Sequence, residues 1–153
     1  MQTDYQASES ARAQDTLAIR ASLTRMVEAW GDGDAARFAA EFTADATYVI
    51  FVGLVYQGRA EIEEGHVPVL EKWQKGTRMS QHVRSIRFLG DDVATVLSEG
   101  GIGKRRVRHD KIQSYVFRRD SDRRWACESF QNTKMNRLFI RINALSTRRT
   151  RRS

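Results

Sequence analysis

Apolar residues recur with helical spacing in the first fifth of the chain. They lie at i, i+4, i+7, i+8 and i+11, at Ile19, Leu23, Met26, Val27 and Trp30. This spacing places them on one face of a helix over about 15–30. The glycine pair in 31–33 ends that helix, and Asp34 is a good N-cap for a short second helix with Phe38 and Phe42 on one face.

A third helical pattern begins near residue 59 and follows a small predicted hairpin. The hairpin pairs a strand over 46–52 with a short strand over 55–57. The helix carries one stripe of residues, Ile62, His66, Leu70 and Trp73. Pro68 interrupts it, and because proline removes a backbone donor and clashes with the preceding turn, a kink or break is predicted just after His66.

The remainder of the chain has the composition of long strands separated by turns. Four strands are predicted, over 78–89, 93–99, 109–119 and 125–133. The glycine-rich stretch 100–103 is predicted to be a flexible hairpin. Helices followed by strands in this order indicate an α+β fold, in which a curved sheet wraps around helices and leaves a pocket between them.

The 153 residues form one domain with a polar segment at each end. Residues 1–14 lack periodicity and are predicted to be a disordered arm, the domain covers 15–140, and 141–153 are predicted to be a disordered basic tail. The net charge is +7, and a large part of it lies in that tail, at Arg148, Arg149, Arg151 and Arg152. Such a tail is a solvated terminus or binds phosphates nonspecifically. The body has no nucleic-acid fold signature, so nucleic acid is only a minor alternative as a partner.

The sequence also argues against several classes of protein. No window approaches the roughly 18 apolar residues of a membrane span, and the N-terminus has no apolar signal region, so no membrane partner is expected. The single cysteine, Cys127, fits a reducing compartment and favours a cytoplasmic location. The three histidines lack i, i+4 spacing, and no dinucleotide fingerprint or phosphate loop is present, so neither a metal nor a cofactor is expected.

Several short motifs follow one another in an informative order. They are WGDGD at 30–34, FTADATYV at 42–49, GRAEI at 58–62, GH at 65–66, Trp125 and FQNT at 130–133. Together they resemble the small SnoaL-like proteins of the nuclear-transport-factor-two-like superfamily, over roughly residues 15–135. Trp125 and the FQNT motif are similar to the SgcJ/EcaC-type branch in particular, which includes proteins of enediyne polyketide pathways.

This resemblance implies a more specific architecture and setting. The fold would be cystatin-like, a cone-shaped mixed or antiparallel sheet of five or six strands around three N-terminal helices. Members usually pair as homodimers across the outer face of the sheet, and a polyketide synthase is a further candidate partner. Members share a pocket more than they share a catalytic set, so the fold alone does not determine a reaction.

His66 and Tyr48 are the candidate catalytic residues. His66 interrupts an apolar stripe, and burial there would lower its pKa and favour the neutral imidazole, which is a competent general base. The alternative is a core histidine that satisfies one backbone carbonyl. Tyr48 lies on the first strand, where its hydroxyl could polarise a substrate carbonyl or simply pack.

The candidate substrate-binding residues are mostly aromatic. Trp30, Trp73, Tyr115 and Phe130 are predicted to line the cavity or fill the core, and an aromatic lining would suit a flat or polyene ligand. His82 shares a strand face with Ile86 and Phe88 and is predicted to be buried, in the pocket, the core or a dimer surface. One of the two amides Gln131 and Asn132 faces the interior, where it would orient a carbonyl or hydroxyl.

Two functions from different classes fit these residues. The first is a small-molecule-binding protein of polyketide biosynthesis, of the enediyne type, that holds or acts on a hydrophobic polyene or polyketide intermediate. The second is a cofactor-independent isomerase, cyclase or dehydratase that uses His66 as its general base. The sequence does not choose between a catalytic and a non-catalytic protein.

Overall fold

The computed structural model describes residues 2–150, and the side chains of residues 9–147. The described residues form four α-helices and one π-helical turn: α1 (Gln2–Asp32), α2 (Ala35–Ala39), α3 (Arg59–Pro68), the π-turn (Val69–Trp73) and α4 (Arg137–Thr150). Six strands complete the structure: β1 (Phe42–Val49), β2 (Val55–Gln57), β3 (Arg78–Phe88), β4 (Val93–Gly103), β5 (Lys111–Arg119) and β6 (Trp125–Lys134). The predicted α+β class is therefore confirmed.

All six strands belong to one mixed sheet, in the order β2-β1-β6-β5-β4-β3. Only the β1–β6 pair is parallel among the described strands, and the other neighbours are antiparallel. Three register shifts interrupt the pairing, between β1 and β6, within β3 near Val83, and between β5 and β6 near Val116. A bulge reverses the alternation of inward and outward side chains, so these shifts decide which residues reach the interior.

The core lies between one face of the sheet, here called the inner face, and the helices. The predicted stripe of α1 is buried, with Ile19 fully buried and Leu23 and Met26 almost so. The inner face contributes Phe42, Tyr48, Val96, Tyr115, Phe117 and Phe130, which are also buried. The predicted N-cap is present as well, since Asp34 Oδ1 accepts a hydrogen bond of 2.9 Å from the backbone N–H of Arg37.

Both predictions of disorder at the ends differ from the structure. Helix α1 begins at Gln2, so 2–14 are helical rather than a disordered arm; residue 1 lies outside the described residues. Arg12 holds this part of the helix against the sheet, because its guanidinium donates to the carbonyl of Gly90 at 2.9 Å and stacks 4.4 Å from the ring centre of Phe88. At the other end α4 covers much of the predicted tail, and 151–153 lie outside the described residues.

Two local predictions in the middle of the chain are also corrected. Of the predicted kink or break, the break is absent: α3 runs to Pro68 and continues as the π-turn, in which Gln74 N–H donates to the carbonyl of Val69 at 2.7 Å. The stretch 100–103 is not a flexible hairpin but the end of β4. Its glycines permit close packing, because a Cβ on Gly101 would overlap the carbonyl of Arg108.

Candidate functional site

A cavity of about 180 Å³ lies between the inner face of the sheet and the helices α1 and α3. Its walls are mainly apolar and aromatic. Trp30, Tyr48, Tyr56, His66, Phe130 and Ile102 are among the residues that line it. The volume is below the range of roughly 300–1,000 Å³ that drug-sized ligands occupy, so the cavity as it stands fits a small molecule or a segment of a longer one.

His66 is a buried titratable residue on the cavity wall. It lies on α3, is 3% exposed, and its Nδ1 is 2.6 Å from the carbonyl oxygen of Ile62 one turn earlier. A carbonyl can only accept, so Nδ1 carries the proton and Nε2 keeps its lone pair. No described side chain hydrogen-bonds Nε2, and the residue lines the cavity.

Burial determines the charge of this imidazole. Desolvation lowers the pKa of His66 below its ordinary value of 6.5, and the bond to Ile62 opposes that change only partly. The ring is therefore neutral near neutral pH. The interpretation of His66 as a histidine that satisfies a backbone carbonyl holds for Nδ1. Its role as a general base stays a prediction.

Tyr48 packs edge-on against His66. The ring centroids are 5.1 Å apart at an interplanar angle of 90°, and the ring of Tyr48 also stacks on Phe130, with the centroids 4.5 Å apart. Burial raises the pKa of Tyr48, so its hydroxyl stays protonated and can donate a hydrogen bond. A neutral base and a neutral donor thus adjoin each other on the cavity wall.

Tyr56 also lines the cavity, although the sequence did not single it out. It lies on the short strand β2, with its ring centroid 6.0 Å from that of His66 and 6.2 Å from that of Tyr48. Its ring packs directly on Gly65, where a Cβ would overlap the ring and would lie 2.7 Å from the hydroxyl oxygen. The glycine inside α3, immediately before His66, was the available signal for such a close approach.

Two amides from neighbouring strands provide the polar part of the lining. Gln113 on β5 and Asn132 on β6 are paired in register. The carbonyl oxygen of Gln113 accepts from Ser98 Oγ at 2.9 Å, and Asn132 Oδ1 accepts from the backbone N–H of Phe51 at 2.8 Å. With both carbonyl oxygens engaged, the NH₂ groups are the ends suited to bind an acceptor on a ligand.

Lys111 is the charged residue on the lining. Its ammonium forms an ion pair of 2.7 Å with Asp110 and lies 5.4 Å from the ring centre of Phe51. The pair holds the pKa of Asp110 below its ordinary value, although burial opposes this shift. Lys111 therefore brings its positive charge to the cavity together with a compensating carboxylate.

Searches of known proteins found similarity in structure. A protein with a cystatin-like fold from Nostoc punctiforme is 27% identical, with a TM-score of 0.75, and the match covers 90% of this chain and 92% of that one. A ketosteroid isomerase-like protein from Erwinia carotovora atroseptica is 18% identical (TM-score 0.63, covering 78% and 95%). The protein Aln2 from a Streptomyces species is 16% identical (TM-score 0.68, covering 84% and 96%). No family model and no curated protein matches the sequence.

The fold is cystatin-like, of the NTF2-like type. The part of the SnoaL-like resemblance that concerns the fold is thereby confirmed. The narrower SgcJ/EcaC-type branch and the enediyne setting stay predictions.

Within this cystatin-like fold, five of the predicted site residues come together at the cavity. They are Trp30, Tyr48, His66, Phe130 and Asn132. Tyr115 lies behind them in the core, with its ring 4.9 Å from that of Phe130 and its hydroxyl donating to Gln81 Oε1 at 3.1 Å. Trp30 is also anchored, since its indole N–H donates to Thr77 Oγ1 at 3.0 Å.

Three predicted site residues lie away from the cavity. Trp73 is 77% exposed, because the wider π-turn changes the angular register of the helix before this residue is reached. His82 is exposed, because the bulge near Val83 reverses the alternation of side chains along β3 between His82 and Ile86. Gln131 is exposed and faces away from its neighbour Asn132, which settles which amide points inward.

Other chemistry finds little support in the described part of the chain. Among residues with described side chains, no group of three or more His, Cys, Asp or Glu could hold a metal ion. Cys127 is fully buried, its Sγ donates to the carbonyl of Ser129 at 3.3 Å, and burial raises its pKa, so it is an unreactive thiol. None of the described helices is both long and apolar enough to cross a membrane.

Proposed function

We propose that this protein binds a small, mainly apolar molecule in the cavity and orients it through hydrogen bonds. The observation that carries the proposal is a largely apolar cavity lined by both His66 and Tyr48. Nε2 of His66 has no hydrogen-bond partner among the described side chains, and the ring of Tyr48 packs edge-on against the imidazole. An apolar pocket with a few convergent polar groups is the usual form of a ligand site. The aromatic rings supply contact area, and the polar groups select a ligand that carries a carbonyl or hydroxyl.

The narrower proposal is a hydrophobic polyketide or polyene intermediate, of the enediyne type. The sequence motifs shared with the SgcJ/EcaC-type branch and the stacked rings of Tyr48 and Phe130 support it, because flat aromatic walls favour a conjugated chain. With about 180 Å³ available, the cavity would take up one segment of such a chain and leave the rest outside it.

Binding can be tested with parinaric acid, a fluorescent conjugated polyene acid, as the probe. Met79 lines the cavity, so Met79→Trp should fill it and weaken binding at least about tenfold, equivalent to about 1.4 kcal/mol. Leu89→Trp is the matched control, since Leu89 is 56% exposed and lies outside the cavity. Equal affinity of the two variants, or no saturable binding to the wild type, would contradict the proposal.

A second candidate function is proton transfer on the bound molecule, by an isomerase, cyclase or dehydratase without a cofactor. The neutral imidazole of His66, with its free Nε2, favours it. Nε2 would accept a proton from a carbon next to a carbonyl, while Tyr48 donates to the oxygen on which negative charge develops. The imidazolium formed would return the proton to a different carbon.

Exchange of carbon-bound hydrogen separates the two functions. A conjugated enone is incubated with the protein in D₂O and its deuterium content is followed by NMR. If His66 is the base, the wild type accelerates exchange and His66→Gln loses at least about a hundredfold of that rate, while its affinity for parinaric acid stays close to that of the wild type. If the wild type does not accelerate exchange, the catalytic function fails and the binding function stands.

A further inference from the structure

Helix α4 lies on the outside of the molecule. Every described side chain from Asn136 to Thr147 is exposed. The helix begins where it does because Asn136 is its N-cap, with Oδ1 accepting a hydrogen bond of 3.0 Å from the backbone N–H of Phe139. It is tied to the body near its start, where Arg137 donates to the carbonyl of His109 at 2.9 Å.

One face of this exposed helix is apolar. Leu138, Ile142 and Leu145 recur at i, i+4 and i+7, and Phe139 lies next to them on the helix. Their exposed fractions are 70%, 54%, 67% and 64% respectively. Within the described part of the chain nothing covers this apolar face, here defined by these four residues, so it is available to a surface that can bury it.

The surroundings of the helix are strongly basic. Arg106 and Arg108, from the loop after β4, line a cleft together with Arg137, and Lys134 joins Arg108 and Arg137 in an adjoining cleft. Each cleft is also lined by one acid, and both acids are already paired, because Glu99 contacts Arg84 at 3.3 Å and Asp110 contacts Lys111 at 2.7 Å. The four residues Arg106, Arg108, Lys134 and Arg137 are called the basic cleft below.

The sequence extends this charge pattern. Beyond Glu128 the chain contains no Asp or Glu, whereas Arg141 and the arginines of 148–152 follow on or after the helix. Arg137 and Arg141 are spaced i, i+4, which puts them along one edge of the apolar face. An apolar helix face bordered by cations and free of acids is the pattern of helices that lie at the surface of an anionic bilayer.

We propose that α4 and the basic cleft bind the surface of an anionic lipid bilayer. The apolar face would enter the boundary between headgroups and acyl chains, about 5–10 Å deep, and the cations would contact the anionic headgroups. This revises the expectation of no membrane partner, which concerned segments long enough to span. The helix lies on the bilayer rather than crossing it.

Other partners fit these features less well. A nucleic acid would use the cations but would leave the apolar face in water. A symmetric contact between the α4 helices of two copies would bring the same cationic edges together, which like-charge repulsion disfavours. An anionic bilayer satisfies both the apolar and the charged parts of the surface.

Vesicle flotation with the full chain tests the proposal. The protein should float with vesicles of phosphatidylcholine mixed with phosphatidylglycerol, should not float with pure phosphatidylcholine vesicles, and should release as salt is raised. The proposal is overturned if the mixed vesicles fail to bind the protein, or if both vesicle types bind it equally.

Variants assign the binding to the helix and the cleft. Leu138→Ser combined with Ile142→Ser should reduce partitioning of the protein onto the mixed vesicles at least about tenfold, since two exposed apolar side chains lose their burial in lipid. The control is Leu17→Ser, at a similarly exposed leucine on α1. Arg106→Gln and Arg141→Gln should each reduce it about fivefold, whereas Arg20→Gln, an exposed arginine on α1, should not. Circular dichroism confirms that each variant is folded.

Two results would reject the assignment to α4. The first is flotation of the Leu138→Ser, Ile142→Ser variant equal to that of the wild type. The second is that the wild type does not bind the vesicles, and that light scattering finds a dimer for the wild type but a monomer for the Leu138→Ser, Ile142→Ser variant. That second result would show that the apolar face covers another copy of the chain.

Discussion

Replacing Gly65 by alanine tests how closely Tyr56 closes the cavity. In most helices this change is favourable, because alanine loses less backbone freedom than glycine and gains up to about 1 kcal/mol. At Gly65 the new Cβ would overlap the ring of Tyr56 and would lie 2.7 Å from its hydroxyl oxygen. The ring must therefore turn away from α3, and it would lose its packing against His66 and Tyr48.

The expected change in the free energy of unfolding is the balance of two effects, the cost of the extra carbon and the gain in helix propensity. Forcing one extra carbon into a packed site costs about 1–3 kcal/mol, which meets or exceeds the helix-propensity gain. The matched control is Gly31→Ala near the end of α1, where an added Cβ has nothing within 4 Å and no positive φ to oppose it. We expect Gly31→Ala to be neutral or stabilising and Gly65→Ala to be about 1–3 kcal/mol less stable than that control.

Urea unfolding of a double-mutant cycle provides the assay. On a Tyr56→Ala background the obstructing ring is gone, so Gly65→Ala should change the free energy of unfolding by the same amount as Gly31→Ala does. The coupling between the two sites should therefore be about 1–3 kcal/mol. Equal effects of Gly65→Ala with and without the Tyr56 ring would refute the packing described for this wall.

Three further tests concern His66, the C-terminal tail and the oligomeric state. The pKa of His66 is lowered in the folded state, so the unfolded chain binds more protons, and the free energy of unfolding should fall as pH drops below about 6.5, by at most about 1.4 kcal/mol per pH unit. In His66→Gln the urea midpoint should lose this part of its pH dependence. The same decline in the variant as in the wild type would contradict the buried neutral ring. Truncation after Leu145 should change the melting temperature by no more than about 2 °C, because the described side chains beyond it are exposed; a larger loss would mean that the tail is docked. The chain should be a homodimer, with twice its mass of 17.6 kDa in light scattering at micromolar concentration, and a mass of one chain would count against the predicted pairing across the outer face of the sheet.

Much of the fold could be predicted because it depends on periodicity and turn chemistry. The stripe from Ile19 to Trp30 identified the buried face of α1, and Asp34 identified the start of α2. The strand β2 was placed correctly, and so was the break between the predicted strands 78–89 and 93–99. These features are local, so each is decided by residues within a few positions of one another.

The ends of the chain were not predictable in this way. Residues 2–14 have no apolar stripe, and they are helical because they continue a packed helix that Arg12 fastens to the turn after β3. In α4 the described side chains are all exposed, and only the placement of the helix outside the body reveals that its apolar residues are uncovered. Composition alone could not separate a solvated tail from an amphipathic helix.

The candidate site likewise has one part that the sequence predicted and another that only the structure revealed. From the sequence alone, His66 could be assigned to a buried stripe and Tyr48 to a strand in phase with apolar neighbours. Which side chains share the cavity was decided only in three dimensions. The bulge near Val83 turned His82 outward and the π-turn after Pro68 carried Trp73 into solvent. An inserted residue reverses strand alternation, and a change of helix type rotates every later side chain, so small backbone irregularities whose positions depend on tertiary packing determine which residues form the site.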